Sequence, residues 1–169
     1  GSIANNDPSA CYPSACIALN ATIHTSDRKI EAQKFFKGMF ETALKKDELV
    51  KGVDFMIPET SSYVKIPNPA SRYAMVGVYV AKHKKKEIIC AITGAQPVVY
   101  RCKEIEKLLS DNFSPESLND LNLDSSEMNS DIHASAEYRA SLIVSAAQKA
   151  VANQEEEVIT VSVYCHYLR

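Results

Sequence analysis

Two apolar runs separated by a short basic turn constrain the fold of this chain more than any other feature. The first run covers residues 73–81, the second covers residues 87–93, and Lys-His-Lys-Lys-Lys joins them. Apolar runs of this length, rich in Val and Ile and bounded by turn residues, are typical of buried strands, and so short a connection makes them antiparallel. Residues 98–101 (Val-Val-Tyr-Arg) are predicted as a third short strand. We therefore expect a three-stranded antiparallel sheet.

Helices are predicted to cover this sheet. Residues 102–110 carry Ile105, Leu108 and Leu109 at helical spacing, and residues 134–153 form a longer helix with an apolar stripe. Ser135 can cap the start of the longer helix, and Glu137 in its first turn suits the helix dipole. Strands combined with helices in this way predict the α+β fold class.

The first part of the chain is predicted to form its own antiparallel unit. The polar run Pro-Glu-Thr-Ser-Ser at residues 58–62 is a plausible boundary. An aromatic cluster in the first part is interpreted as core packing: Phe35, Phe36, Met39 and Phe40. The predicted elements there are a helix over residues 14–20 and strands over residues 21–25, 29–32 and 48–58. The resulting division is residues 1–58, residues 62–153 and a tail over residues 154–169, in which residues 158–164 alternate like a strand.

The opening sixteen residues are dominated by small and Asx side chains. Gly1 lets a ligand approach the backbone closely, and Asn6-Asp7-Pro8 favours a turn with exposed amides ahead of the first helix. Such a loop can cradle an anion, but loops of this kind are more often plain turns, so the pattern by itself favours a turn.

Composition excludes several classes of function. The formal net charge of -2 and the pI of about 6.1 give no nucleic-acid footprint, and the basic turn at residues 82–86 is interpreted as a solvated hairpin tip. No apolar run approaches the roughly 20 residues of a membrane span, and the chain does not open with a signal peptide, so we expect a cytoplasmic protein. The five cysteines are scattered without metal-ligand spacing, so we expect no metal bound by this chain.

Several motifs, in order along the chain, resemble the FAD-binding medium subunit of molybdenum hydroxylases, of the carbon monoxide dehydrogenase and xanthine dehydrogenase type. The opening Gly-Ser-Ile-Ala-Asn-Asn-Asp-Pro-Ser-Ala-x-Tyr-Pro-Ser-Ala is similar to that family's second FAD loop. Further matches are Lys65 with Arg72-Tyr73-Ala74, Thr93-Gly94-Ala95, and Asp131-Ile-His-Ala-Ser-Ala-Glu-Tyr-Arg139. The resemblance covers residues 1–152 and implies a second FAD-binding subdomain followed by the family's C-terminal domain, without the first FAD-binding subdomain.

The resemblance also implies the residues of a cofactor site. The family's loop holds the FAD pyrophosphate, and Lys65 falls where family members carry a lysine near the flavin. Cys11 occupies a position where the family usually has an aspartate that accepts hydrogen bonds from the cofactor; a thiol is a weaker acceptor. The expected FAD-binding residues are Gly1, Ser2, Asn6, Asp7, Cys11 and Lys65. We expect no catalytic residue here, because Asp131, His133 and Ser135 lie too close in sequence for a hydrolase triad.

The function implied is electron transfer within an oxidoreductase. In the family, electrons leave a molybdenum cofactor in a large subunit, pass through [2Fe-2S] clusters in a small subunit and reach FAD in the medium subunit, which hands them to a terminal acceptor. This chain alone is expected to be inactive, to bind FAD weakly and to self-associate through apolar surface. The alternative is a truncated, non-catalytic docking module that no longer binds FAD.

Overall fold

The N-terminal part of the molecule is built from short elements around a small sheet. The structure is a computed structural model, and it describes residues 1–156. The elements are α1 (Ser2–Asn5), α2 (Tyr12–Ala18), β1 (Thr22–Thr25), β2 (Lys29–Glu31), α3 (Ala32–Phe35), β3 (Phe36–Gly38), β4 (Glu41–Thr42) and β5 (Val50–Asp54). β1 runs antiparallel to both β2 and β5, in the order β2-β1-β5, and β3 pairs with β4 in a two-stranded hairpin.

The centre of the molecule is an antiparallel sheet in the order β6-β7-β8-β9. Its strands are β6 (Thr60–Pro67), β7 (Ala74–Lys82), β8 (Ile88–Thr93) and β9 (Tyr100–Arg101), and a 3₁₀ turn over Lys84–Lys86 joins β7 to β8. The α+β class and the hairpin of apolar strands are confirmed. The expectation of three strands was wrong: the sheet has four, because β6 pairs with β7 along its whole length. β6 is a half-buried edge strand without a continuous apolar run, so its sequence does not predict a strand of this length.

Both faces of the central sheet are covered. On one face, Val76, Val78 and Val80 pack against α4 (Lys103–Asp111) and α5 (Ala136–Glu156), with a 3₁₀ turn over Pro115–Leu118 between these helices. On the other face, Ala81, Ile89 and Ala91 share a core with α2, β1 and α3. Burial of every residue of β8 explains its unbroken apolar sequence. The boundary at residues 58–62 stays a prediction, since the N-terminal part and the sheet share this second core.

The long helix α5 begins two residues later than predicted. The hydroxyl Oγ of Ser135 accepts a hydrogen bond from the Tyr138 amide at 3.2 Å, so Ser135 caps the helix as expected. Residues 154–156 continue α5, and the strand predicted over residues 158–164 lies outside the described residues. Of the helices within residues 1–156, none is both long enough and apolar enough to cross a membrane.

Candidate functional site

A cleft of about 490 Å³ opens where four loop segments meet. One wall is the N-terminal loop at Asp7–Ser9, and a second is the turn between β3 and β4, with Met39 and Phe40. The remaining walls are the turn between β6 and β7 and the segment over residues 129–133 that precedes α5. Ligand sites commonly have volumes of roughly 300–1,000 Å³, so this cleft is large enough for part of a dinucleotide.

The N-terminal loop is tied to the end of β8. The hydroxyl of Thr93 lies 2.6 Å from the Pro8 carbonyl oxygen and 2.8 Å from that of Ala10, and its single proton serves one of them at a time. The Gly94 amide donates to the same Pro8 carbonyl at 2.8 Å. Gly94 has φ 83°, and a Cβ there would lie 2.6 Å from the Ala74 carbonyl oxygen, so only glycine fits. The Thr-Gly-Ala motif therefore holds the loop against the cleft.

Arg139 connects α5 to the opposite side of the cleft. Its guanidinium is buried and donates from Nη1 to the carbonyl oxygens of Met75, at 2.6 Å, and Gly94, at 3.1 Å. Nη2 donates to Oδ2 of Asp131 at 2.7 Å. The acidic partner of Arg139 is therefore Asp131, whereas Glu137 in the first turn of α5 is exposed to solvent.

Asp131 organises the segment that enters α5. Its Oδ1 accepts hydrogen bonds from the amides of His133, at 2.8 Å, and Ala134, at 3.1 Å. These amides, the His133 amide foremost, and the Arg139 guanidinium lower the pKa of the Asp131 carboxyl. The Asp131 carboxylate therefore fixes this loop through the amides of His133 and Ala134.

Of the six predicted FAD-binding residues, Asp7 is the one that lines the cleft. Its Oδ1 accepts a hydrogen bond from the Ser9 amide at 2.8 Å, which closes the turn. Gly1 and Ser2 are exposed at the start of α1, and a Cβ at Gly1 would meet nothing within 4 Å. The carbonyl oxygens of Gly1 and Ser2 accept hydrogen bonds from the amides of Asn5, at 2.9 Å, and Asn6, at 3.2 Å.

Asn6 is almost completely buried, at 1% exposure, and its side chain serves the protein. Its Nδ2 donates to the carbonyl oxygens of Gly38, at 2.7 Å, and Glu41, at 2.9 Å. Its Oδ1 is buried without a hydrogen-bond partner among the described residues. Asn6 therefore links the N-terminal loop to the turn between β3 and β4.

Cys11 and Lys65 lie on the side of the sheet that the N-terminal part covers. Lys65 is exposed on β6 opposite Gly77, and it shares its face with Tyr63, while Val64 packs on the helical side. Cys11 is half-buried beside Tyr63. Burial, and to a smaller extent the Cys11 thiol, raises the pKa of Tyr63 above its ordinary value. The Cys11 thiol forms no hydrogen bond with the Tyr63 hydroxyl, which is buried without a hydrogen-bond partner among the described residues.

Two of the four residues of the aromatic cluster lie at the cleft and not in the core, as had been predicted for all four. Phe35 and Phe36 are buried and meet edge to face with ring centroids 5.2 Å apart. Met39 and Phe40, by contrast, are 53% and 59% exposed and line the cleft. Gly38, which interrupts the cluster, was the sequence signal that the last two residues leave the core.

The donors and acceptors of this site suit an organic cofactor. The cleft offers carboxylate, hydroxyl and amide groups beside the apolar side chains of Met39, Phe40 and Tyr73. A few polar groups on a partly apolar wall are the usual chemistry of a cofactor pocket, and they fit a flavin dinucleotide. Within the part of the chain that the structure describes, no group of three or more His, Cys, Asp or Glu side chains could hold a metal ion.

Comparison with known families identifies the N-terminal part. Residues 1–60 match the model of the FAD binding domain in molybdopterin dehydrogenase. This match contains β1 to β5 and the complete loop over residues 6–11 that borders the cleft.

Two relatives extend the similarity over most of the chain. The glyceraldehyde dehydrogenase medium chain of Sulfolobus acidocaldarius is 31% identical over 152 residues, which are 83% of this chain and 53% of that protein. The nicotine 6-hydroxylase medium subunit of Paenarthrobacter nicotinovorans is 29% identical over 158 residues, 85% of this chain and 55% of its own length. This chain thus spans about half the length of these relatives.

Solved structures share the fold. CO dehydrogenase from Oligotropha carboxidovorans superposes with a TM-score of 0.79 at 21% identity, over 92% of this chain and 60% of that one. Quinoline 2-oxidoreductase from Pseudomonas putida 86 superposes with a TM-score of 0.76 at 20% identity, over 92% of this chain and 59% of that one.

Proposed function

We propose, on the premise that this chain belongs to the FAD-binding medium subunits of molybdenum hydroxylases, that it forms part of an FAD site and passes electrons to a terminal acceptor. The observation that carries the proposal is the match of residues 1–60 to an FAD-binding domain, because the matched loop borders the cleft. The protein would then be one component of an oxidoreductase.

The residues of this chain would bind and orient the dinucleotide, whose flavin ring takes up and releases electrons when it is bound. Gly1 and Ser2 are exposed and would contact the pyrophosphate, and Asp7 offers a carboxylate at the cleft. Lys65 is an exposed cation, and a positive charge beside a flavin favours its anionic reduced form. Cys11 would contribute only a weak acceptor, where the resemblance implies an aspartate.

The partners proposed follow from the names of the relatives, which are called a medium chain and a medium subunit. A large subunit with a molybdenum cofactor would oxidise the substrate, and a small subunit with [2Fe-2S] clusters would deliver the electrons. We propose the cytoplasm as the compartment and self-association as a further property of the chain.

A second candidate function is a docking module without FAD. The observation that favours it is that one of the six expected cofactor residues lines the cleft, while the Asn6 side chain already serves two carbonyl groups of the protein. Such a module would use the same surfaces for partner subunits and would have no redox activity.

The experiment that separates the two is spectroscopy of the protein purified in its native assembly. The electron-transfer function predicts the visible absorption of an oxidised flavin, release of FAD on denaturation, and bleaching when the assembly is given a reducing substrate. Selective removal of the small subunit should abolish bleaching and leave the FAD in place. A colourless assembly that takes up no added FAD would contradict the proposal and support the docking module.

A further inference from the structure

The turn between β3 and β4 is held from outside by one buried side chain. Asn6 Nδ2 donates to the carbonyl oxygens of Gly38 and Glu41, which flank the turn, at 2.7 and 2.9 Å. The Asn6 carbonyl oxygen also accepts a hydrogen bond from the Phe40 amide at 3.2 Å. β3 and β4 share only the pairs Phe36 with Thr42 and Gly38 with Glu41, so the hairpin contributes little of its own to fix the turn.

Phe40 adopts a backbone conformation that aromatic residues rarely take. Its φ is 55°, in the left-handed region that favours glycine, and its side chain is 59% exposed. A bulky residue in this region is an outlier that the surrounding structure must enforce, and such outliers cluster at functional sites. Packing does not explain the ring, because it lines the cleft instead of the core. Asn6, itself at φ 48°, is hydrogen-bonded to Gly38, Phe40 and Glu41, on the turn and on both sides of it.

A second turn that lines the cleft is held in a similar way. The turn between β6 and β7 is closed by the buried Asn68, whose Oδ1 accepts hydrogen bonds from the amides of Ala70, at 2.9 Å, and Ser71, at 3.2 Å. This turn carries Tyr73, whose ring is 56% exposed and also lines the cleft. The cleft therefore presents two flat side chains from two clamped turns, which suits a planar ligand.

We propose that Phe40 contacts a planar heteroaromatic ring of the bound dinucleotide, and that Asn6 is a positioning residue that holds Phe40 in place for this contact. The inference rests on the proposed FAD-binding function and adds to it a residue that the sequence motifs did not indicate. Both the isoalloxazine and the adenine ring of FAD have the required chemistry, and stacking on an aromatic side chain tolerates either.

The first test is FAD titration of the native assembly after its flavin has been removed. Phe40→Gly deletes the ring and puts glycine where φ is positive, so the melting temperature should be unchanged or higher while FAD affinity falls on the order of tenfold. Phe55→Ala, a change at an exposed phenylalanine outside the cleft, is the control and should leave affinity unchanged. FMN and ADP titrations then identify the ring: the loss should appear with one of these two ligands.

The second test asks whether Asn6 acts through Phe40. Asn6→Asp keeps the shape and the tolerance of positive φ but removes the donor, so it should weaken FAD binding about as much as Phe40→Gly. The double variant should bind FAD no more weakly than Phe40→Gly alone, because Asn6 then has no aromatic ring to position. If the wild type binds FAD, two results would overturn the inference. One is Phe40→Gly binding FAD as tightly as the wild type, and the other is a double variant whose loss of affinity equals the sum of the losses of the two single variants. Wild-type protein that binds no FAD would instead overturn the proposed function.

Discussion

Replacing Arg139 by methionine should destabilise the protein substantially. The guanidinium is 3% exposed, and it donates to the carbonyl oxygens of Met75 and Gly94 at the ends of β7 and β8. Hydrogen bonds from charged groups contribute about 1.5–3 kcal/mol each. The ion pair with Asp131 adds less than about 1 kcal/mol, because that side chain is 47% exposed.

The net loss is expected to be about 3 kcal/mol. Two carbonyl hydrogen bonds at the lower end of their range supply this value. The lower end applies because Arg139 Nε is buried without a partner among the described residues, a cost that methionine removes. For a chain of 169 residues, each kcal/mol lowers the melting temperature by roughly 2–4 °C, so Arg139→Met should melt about 6–12 °C lower.

Differential scanning calorimetry measures this difference directly. Lys149→Met is the matched control, since Lys149 is exposed on the same helix, and it should melt within about 1 °C of the wild type. Asp131→Asn should lie between the two, because it retains both carbonyl contacts of Arg139. An Arg139→Met variant that melts like the Lys149 control would refute the argument that this guanidinium connects α5 to the sheet.

Three further predictions concern single sites. Arg28, Thr25 and the Lys45 amide lower the pKa of the buried Glu48 carboxyl from 4.5 to about 2. The ionised carboxylate therefore stabilises the fold above pH 4.5, and this contribution is lost as the pH falls towards 2, so Glu48→Gln should flatten the pH dependence of the melting temperature in this window. At Gly77 a Cβ would meet the Tyr63 hydroxyl and lie 2.7 Å from Thr93 Cγ2, so Gly77→Ala should lower the free energy of unfolding, measured by chemical denaturation, by about 1–3 kcal/mol. The control Gly52→Ala should leave it nearly unchanged, because a Cβ at Gly52 would have nothing within 4 Å. Cys11→Asp should raise the melting temperature, because the new carboxylate gives the Tyr63 hydroxyl an acceptor. In a Tyr63→Phe background the same change should lower the melting temperature, because the half-buried carboxylate then lacks a donor, and equal effects in both backgrounds would contradict this contact.

The sequence by itself determined the fold class and most elements of the central sheet. Strands β7 and β8 are buried on both faces, so their apolar runs are continuous and needed no tertiary information to be recognised. The same applies to α5, whose apolar stripe recurs from residue 138 to residue 151, and to the Ser135 cap. The order of short motifs along the chain likewise sufficed to indicate the medium-subunit family, which the comparisons confirm.

Only the tertiary structure decided which residues meet at the cleft. Asp7, Phe40, Tyr73 and Asp131 come from four loops that are far apart in sequence, and no local pattern encodes their meeting. The contacts of the Asn6 and Arg139 side chains could not be read from the sequence for the same reason, since their partners include backbone carbonyls 32 to 64 residues away, and any residue type can supply a carbonyl. Periodicity reports how a segment is buried, whereas the position of a loop depends on long-range hydrogen bonds that leave no periodic trace in the sequence.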